Sequence, residues 1–293
     1  MLFVGVAVML ALDLWAYRGE RPSRRTTLVW TVVWIAAGLA FGGLVWGMLG
    51  VQAAEEYYAA YAMEKGLSLD NIFLFYVIFG NLRIPERLQH KVLFWGILGA
   101  VVFRGLFVFL GVAAIERWDW MTYVFGAILL YAAWHALRQD PARQGGSRIV
   151  DWLARHVPVA PARDSGAFLV RRNGGWAVTP LLLALVAIEL TDVMFAIDSV
   201  PAALAITRDH FVVYSSNILA VLGLRALYLY LAASIPGLPY LHYGLAAVLA
   251  FAALKILTEE WIHVPPLVSI GVIAALIGSA VWASLRSVRK EGV

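Results

Sequence analysis

Glu189-Leu-Thr-Asp192-Val-Met-Phe-Ala-Ile-Asp198-Ser199-Val-Pro201-Ala sits in the middle of the apolar stretch 177–206. A stretch of that length reads as a helix crossing lipid, for which ~20 apolar residues are needed. It nevertheless carries three carboxyl groups. A charge at the bilayer centre costs ~2.5–3.5 kcal/mol on insertion scales. Acids kept at such a cost face a protein interior or a water-filled cavity, and they are paired, protonated or bound to metal.

The rest of the chain has the same character. Hydrophobic residues make up 62% of 293 and charged ones 14%, a composition that water would not tolerate on a protein surface and that lipid requires. The 12 Trp and 12 Tyr suit the aromatic belts where helices leave the hydrocarbon. There is no Cys, which excludes disulfides, thiolate metal sites and Cys nucleophiles. Nine apolar segments follow: 1–17, 27–50, 59–82, 91–114, 119–138, 177–206, 211–233, 240–257 and 266–286. They are continuous rather than alternating, which argues for helices over a β-barrel. The expected fold is all-α, a polytopic membrane protein of about nine transmembrane helices. Residues 1–16 lack a basic start and a small-residue cleavage site, so they read as a first span and not as a removable signal.

Loop charge sets the orientation. Arg18 to Arg25, then Arg83, Arg87 and Lys91, then the seven arginines from Arg138 to Arg172, then Arg286, Arg289 and Lys290 all fall on one side. The other side holds Glu55, Glu56, Glu116, Asp119, Asp209, Glu259 and Glu260, with only Lys65, Arg117 and Arg208 as cations. The positive-inside rule then places the N-terminus outside and the C-terminus in the cytoplasm, in a cell or plasma membrane. The Arg-, Gly- and Pro-containing stretch 139–176 reads as a cytoplasmic loop between two halves.

The halves repeat. Glu64-Lys-Gly-Leu-Ser-Leu-Asp70-Asn71 matches Asp192-Val-Met-Phe-Ala-Ile-Asp198-Ser199: an acid, five residues, an Asp and a small polar residue. Phe103-Arg104-Gly-Leu then matches Leu224-Arg225-Ala-Leu, and Tyr131-Ala-Ala-Trp-His135 matches Phe251-Ala-Ala-Leu-Lys255. The two acidic spans enter from opposite sides, so the expected architecture is an inverted repeat of three helices against three, 51–138 against 177–258. Helices 1–50 and 259–293 flank the pair. Such repeats place a substrate site near the midplane where the halves meet.

Two buried arginines cannot neutralise Glu64, Asp70, Glu189, Asp192 and Asp198, so a cation or protons must supply the balance. Carboxylates, the Asn71 amide and the Ser199 hydroxyl are hard oxygen donors, which suit magnesium, calcium or manganese. Met194 between the two aspartates could favour a softer ion, although a membrane Met more often packs. Acid and Asp six residues apart are turned by about 240° on an ideal helix and so do not share a face. Either the pocket wraps around both acidic helices or the helices break, with Gly66 and Pro201 as break points whose freed carbonyls could add ligands. His135 and His263 read as interfacial residues, and His90 and His210 as loop residues. No P-loop is present, nor the Tyr-Asp and Gly-x-Gly-Asp signatures of membrane aspartyl proteases, so the chain is not expected to be an enzyme.

At these residues the sequence resembles the TerC family of integral membrane proteins. Besides the two acidic motifs, the matching text includes Val92-Leu-Phe-Trp-Gly-Ile-Leu-Gly-Ala100 and Ser216-Asn217-Ile-Leu-Ala-Val-Leu-Gly-Leu-Arg225-Ala-Leu-Tyr228. It departs where the family's Gly-Ile-Lys-Met-like end of span five reads Ala133-Trp-His135-Ala136. The resemblance implies export of divalent cations, above all manganese, and by name a link to tellurium resistance. It assigns Glu64, Asp70, Asn71, Asp192, Asp198 and Ser199 to the metal pathway. Arg104, Arg225 and Glu189 are expected to balance charge or gate. The expected partners are a divalent metal ion as substrate, the lipid bilayer, and a proton or sodium counter-ion, with no nucleic acid and no resident cofactor.

Overall fold

The computed structural model describes residues 24–138, 150, 152, 155, 166–172, 175–231, 240–259, 261–262 and 264–291, without the side chains of residues 24, 69, 70, 73, 172, 231 and 288–291. The first expected span, 1–17, lies outside the described residues. The other eight apolar segments form helices over most of their described length. They form α1 (Arg24–Leu49), α2 (Val51–Asn81), α3 (Glu86–Arg117), α4 (Met121–Arg138), α5 (Pro180–Leu204), α6 (His210–Leu222), α7 (Leu224–Leu231), α8 (Leu241–Leu257) and α9 (Pro266–Glu291). Among the described residues, five helical stretches are long and apolar enough to cross a membrane by length and composition: 25–49, 86–117, 180–204, 210–230 and 266–287. The chain is an all-α polytopic membrane protein.

The helices begin earlier than hydropathy suggests. α2 starts at Val51, so Glu55 and Glu56 lie on its first two turns and not in a loop. Gly50 alone separates α1 from α2, at a φ of 92° that a residue with a Cβ rarely adopts. His90 and His210 likewise stand on helices, in α3 and at the start of α6. Asp209 caps α6: its carboxylate accepts from the Phe211 and Val212 amides at 2.8 and 3.1 Å, serving two of the amides a helix start leaves unbonded. At the same end of the molecule Arg208 pairs with Glu259 at 2.9 Å, so these two loops share a side.

Packing is reciprocal between the halves. α2 lies along α6, α3 along α5, and α4 along α8, while α2 also meets α5 and α3 meets α6. α6 and α7 are buried on nearly all sides, whereas α1 and α9 bury only a strip and turn Leu44, Trp46, Val268 and Trp282 outward. Small residues permit the closest approaches. A Cβ on Gly244 of α8 would meet the Ala280 methyl of α9 and stand 3.2 Å from the Leu276 carbonyl oxygen, a backbone atom that cannot swing aside. Gly244→Ala is expected to cost about 1–3 kcal/mol by overpacking, read as a lower melting temperature in detergent. An unchanged melting temperature would mean that α9 gives way there.

The loop between the halves is not uniformly irregular. Its end forms an antiparallel hairpin, β1 (Leu169–Arg172) and β2 (Gly175–Val178), with Leu169 opposite Val178. Lys91 of α3 ties this hairpin down, donating to the Gly166 carbonyl at 2.7 Å and lying over the Phe168 ring.

Candidate cation site

α2 runs unbroken through Gly66, and α5 runs through Pro201 to Leu204. Of the two arrangements the spacing allows, a break in the acidic helices at Gly66 or Pro201 does not occur. Gly66 makes room for Ile277 of α9. Pro201 has no N–H, so the Ile197 carbonyl one turn earlier loses its helical donor. The break that does occur is at Gly223, between α6 and α7.

That break explains Lys65, which is not a loop cation. It sits midway along α2 and donates from Nζ to the Ala220 carbonyl at 3.0 Å, where the helix turns over into α7. A Cβ on Gly223 would lie 2.9 Å from the Lys65 ammonium. Glycine therefore leaves the space the cation uses. Lys65→Met removes the donor from a part-buried carbonyl, and a loss of about 1–3 kcal/mol is expected, measured by thermal unfolding. No loss would show that Ala220 finds another donor.

Arg104 is the hub of the interior. It is 1% exposed and reaches three other helices. Its NH2 and Nε approach Asp192 Oδ1 and Oδ2 at 3.0 and 3.4 Å, and NH1 donates to Glu64 Oε1. NH1 also lies 3.1 Å from Asn217 Oδ1 and 3.4 Å from Ser199 Oγ. The amide of Asn217 is itself held, donating to the Val213 carbonyl at 3.1 Å. Glu64 and Asp192, matching acids of the two motifs, thus share one guanidinium. The planar fork can serve both carboxylates at once, which a lysine cannot.

Oxygen remains in excess. Glu64 Oε2, Ser68 Oγ and Asn71 Oδ1 are buried and accept from no group among the described residues. At spacings of four and three residues they form one stripe along α2. A cavity of about 370 Å³ opens beside them. Glu64, Asn71, Arg104, Asp198 and Ser199 contribute to its wall, with Thr191, Met194 and Ile197 from α5. Asp198 is half-buried, pointing into this space while Asp192 turns to Arg104. His135 of α4 and His242 of α8 also line the cavity. His242 has no counterpart in the reading of the sequence; its position inside an apolar span was the available signal. His135, expected at an interface, is exposed and stacks on Tyr131 with ring centres 6.0 Å apart.

Other expected members stand elsewhere. Glu189 lies in a different groove, against Gly99 of α3. Arg225 is buried on α7 and is absent from the cavity wall. The Asp70 side chain is outside the described residues. Lys255, the repeat partner of His135, is turned away to Ser269 of α9 at 3.2 Å. Among the described residues, no three His, Asp or Glu side chains stand close enough together to hold a metal ion.

Buried acids bridged by an arginine beside a cavity, inside a multi-pass helical bundle, define an integral membrane protein with a charged interior. The model of the family described as "Integral membrane protein TerC family" matches residues 49–292, and the chain belongs to that family. It is similar to the membrane protein STKORF319 of Myxococcus xanthus, 40% identical over 96% of this chain and 89% of that protein. It is also similar to Alx of Escherichia coli (strain K12), named as a candidate membrane-bound redox modulator, 36% identical over 99% of this chain and 95% of that one. A membrane protein of Rickettsia bellii is 34% identical, over 96% and 94% respectively. No solved structure matches.

Proposed function

We propose that the chain is a secondary transporter that exports a divalent cation, manganese by preference, through the Glu64–Asp198 cavity. The observation that carries this reading is the stripe of buried oxygens on α2, Glu64 Oε2, Ser68 Oγ and Asn71 Oδ1, which accept from no group among the described residues and stand beside carboxylates held by Arg104. Acceptors without donors attract a cation. All are hard oxygen ligands, joined by Ser199 and by the Ile197 carbonyl that Pro201 leaves without its helical donor. Asp198, and Asp70 by its place in the repeat, complete the set. The two histidines are borderline nitrogen donors and favour manganese over calcium.

Arg104 stands in for the cation in this arrangement. Its guanidinium neutralises Glu64 and Asp192 while the site is empty, and an arriving ion takes those oxygens as the arginine withdraws. The reciprocal packing of α2 with α6 and α3 with α5 supports a two-fold relation between the halves, around which access could alternate. The cavity lies toward His135, at the end of α4 that leads into the Arg-rich loop, and loading from the cytoplasm fits an exporter. Arg225 is read as a balancing charge of the second half. The relatives' name speaks of redox; this chain has no cysteine, so any such role does not use thiols.

Reconstituted in liposomes containing a metal-sensitive dye, the protein is expected to pass manganese well above protein-free vesicles. The alternative is a partner in metal or tellurite stress that transports nothing. Absence of flux with every divalent ion tried would favour it.

A further inference from the structure

The groove that holds Glu189 is open and, among the described residues, shares no wall residue with the cation cavity. It has a volume of about 470 Å³ and its walls come from α3 and α5: Trp95, Leu98, Val102, Phe103, Leu185 and Leu190. Several of these are turned outward, Val102 being 62% exposed, as expected of side chains against lipid. The carboxyl of Glu189 is pressed onto the backbone at Gly99, where any Cβ would collide with it. Its Oε2 is buried and has no hydrogen-bond partner among the described residues. Among the described residues, no titratable side chain from α3 lines the groove, and α2, α4 and α8 contribute nothing to it. The nearest charge on its own helix is Asp192, one turn further along, and beyond it Arg104. A bare carboxylate in that position would have lipid on one side, an acid on the other and no donor, which a membrane does not sustain.

We infer that Glu189 is a protonated carboxyl facing lipid, and that its proton is the counter-ion released when the divalent cation binds one turn away. The coupling rests on the transport reading above; the protonated, lipid-facing acid does not. With the site empty, Glu189 holds its proton. When a hydrated, doubly charged ion arrives near Asp192, the O–H bond of Glu189 breaks and the proton passes to a water molecule that the ion brings with it. The carboxylate left behind is stabilised by the new positive charge. Loss of the cation draws a proton back. One proton therefore moves against each metal ion at this position, and a pH gradient can drive the exchange.

Carbodiimides test this directly, because the apolar dicyclohexyl reagent adds to protonated carboxyls in lipid and leaves a stable acylurea. Membranes containing the full chain are treated with it and mapped by mass spectrometry. The expected result is an adduct on Glu189 that is lost in Glu189→Gln and kept in Asp198→Asn. Its rate should fall about tenfold per pH unit once the acid titrates and fall severalfold with millimolar manganese. An adduct that forms at Glu189 only after the protein is unfolded would mean that another chain covers the groove, and would overturn the proposal. Equal reactivity toward a water-soluble carbodiimide would overturn it too. Labelling that manganese leaves unchanged would overturn the coupling. Labelling as expected in a protein that passes no manganese would condemn the transport reading and the coupling, and leave the protonated acid standing.

Discussion

Replacing Arg104 with methionine is expected to destabilise the detergent-solubilised protein by about 3–5 kcal/mol, the cost of removing one partner from a buried ion pair. The reason is the uncompensated charge left behind rather than the loss of attraction. Glu64 and Asp192 are 1% and 5% exposed, and the guanidinium is the only cation that the described structure places on them. Asn217 and Ser199 would also lose the group they face. Two further variants separate this cause from simple loss of packing. Arg104→Lys keeps a charge but not the fork, so it should recover only part of the loss. Adding Glu64→Gln and Asp192→Asn to Arg104→Met removes the stranded charges and should recover most of it. A triple variant no more stable than Arg104→Met would show that the arginine acts through its bulk.

The membrane class was legible because burying a charge in lipid is so costly that acids inside apolar stretches carry information. The acid-x5-Asp spacing likewise picked out Glu64 and Asp192, which the fold brings to one arginine. Element boundaries were less legible. Hydropathy averages over a window, so Glu55 and Glu56 lowered the score at the start of α2 although the backbone hydrogen bonds run straight through them. Lys65 looked like a loop cation for the same reason, and nothing local announced that a lysine from α2 would complete a break in α6. That break falls at Gly223, and a glycine in an apolar run usually marks helix packing. Spacing alone could not assign faces either. Glu189 is three residues from Asp192 and both meet α3, yet Glu189 lies against Gly99 in an open groove and Asp192 on Arg104 in the interior. His242 was overlooked because the motifs drew attention to carboxylates, while the cavity wall is also built from α4 and α8.

Asp198 separates stability from function more cleanly than any other residue of the site. It is half-buried and lines the cavity, whereas Glu64 and Asp192 are buried against Arg104. Asp198→Asn keeps the shape and removes the charge of a half-buried group, so it should disturb the fold less than Arg104→Met does. A divalent ion loses one of its few anionic ligands. Charge-assisted contacts are worth about twice neutral ones, and loss of one metal ligand of this kind should lower flux at least about tenfold, as 1.4 kcal/mol already does. Asp70→Asn, at the matching position of the first half, should behave alike if the halves share one site. The most direct measurement is manganese flux into dye-loaded liposomes, comparing the unaltered protein with Asp70→Asn and Asp198→Asn at equal reconstituted amounts and matched melting temperatures. Flux in the unaltered protein, lost in both variants, is the predicted result. Undiminished flux in both variants would contradict the cavity as the cation pathway.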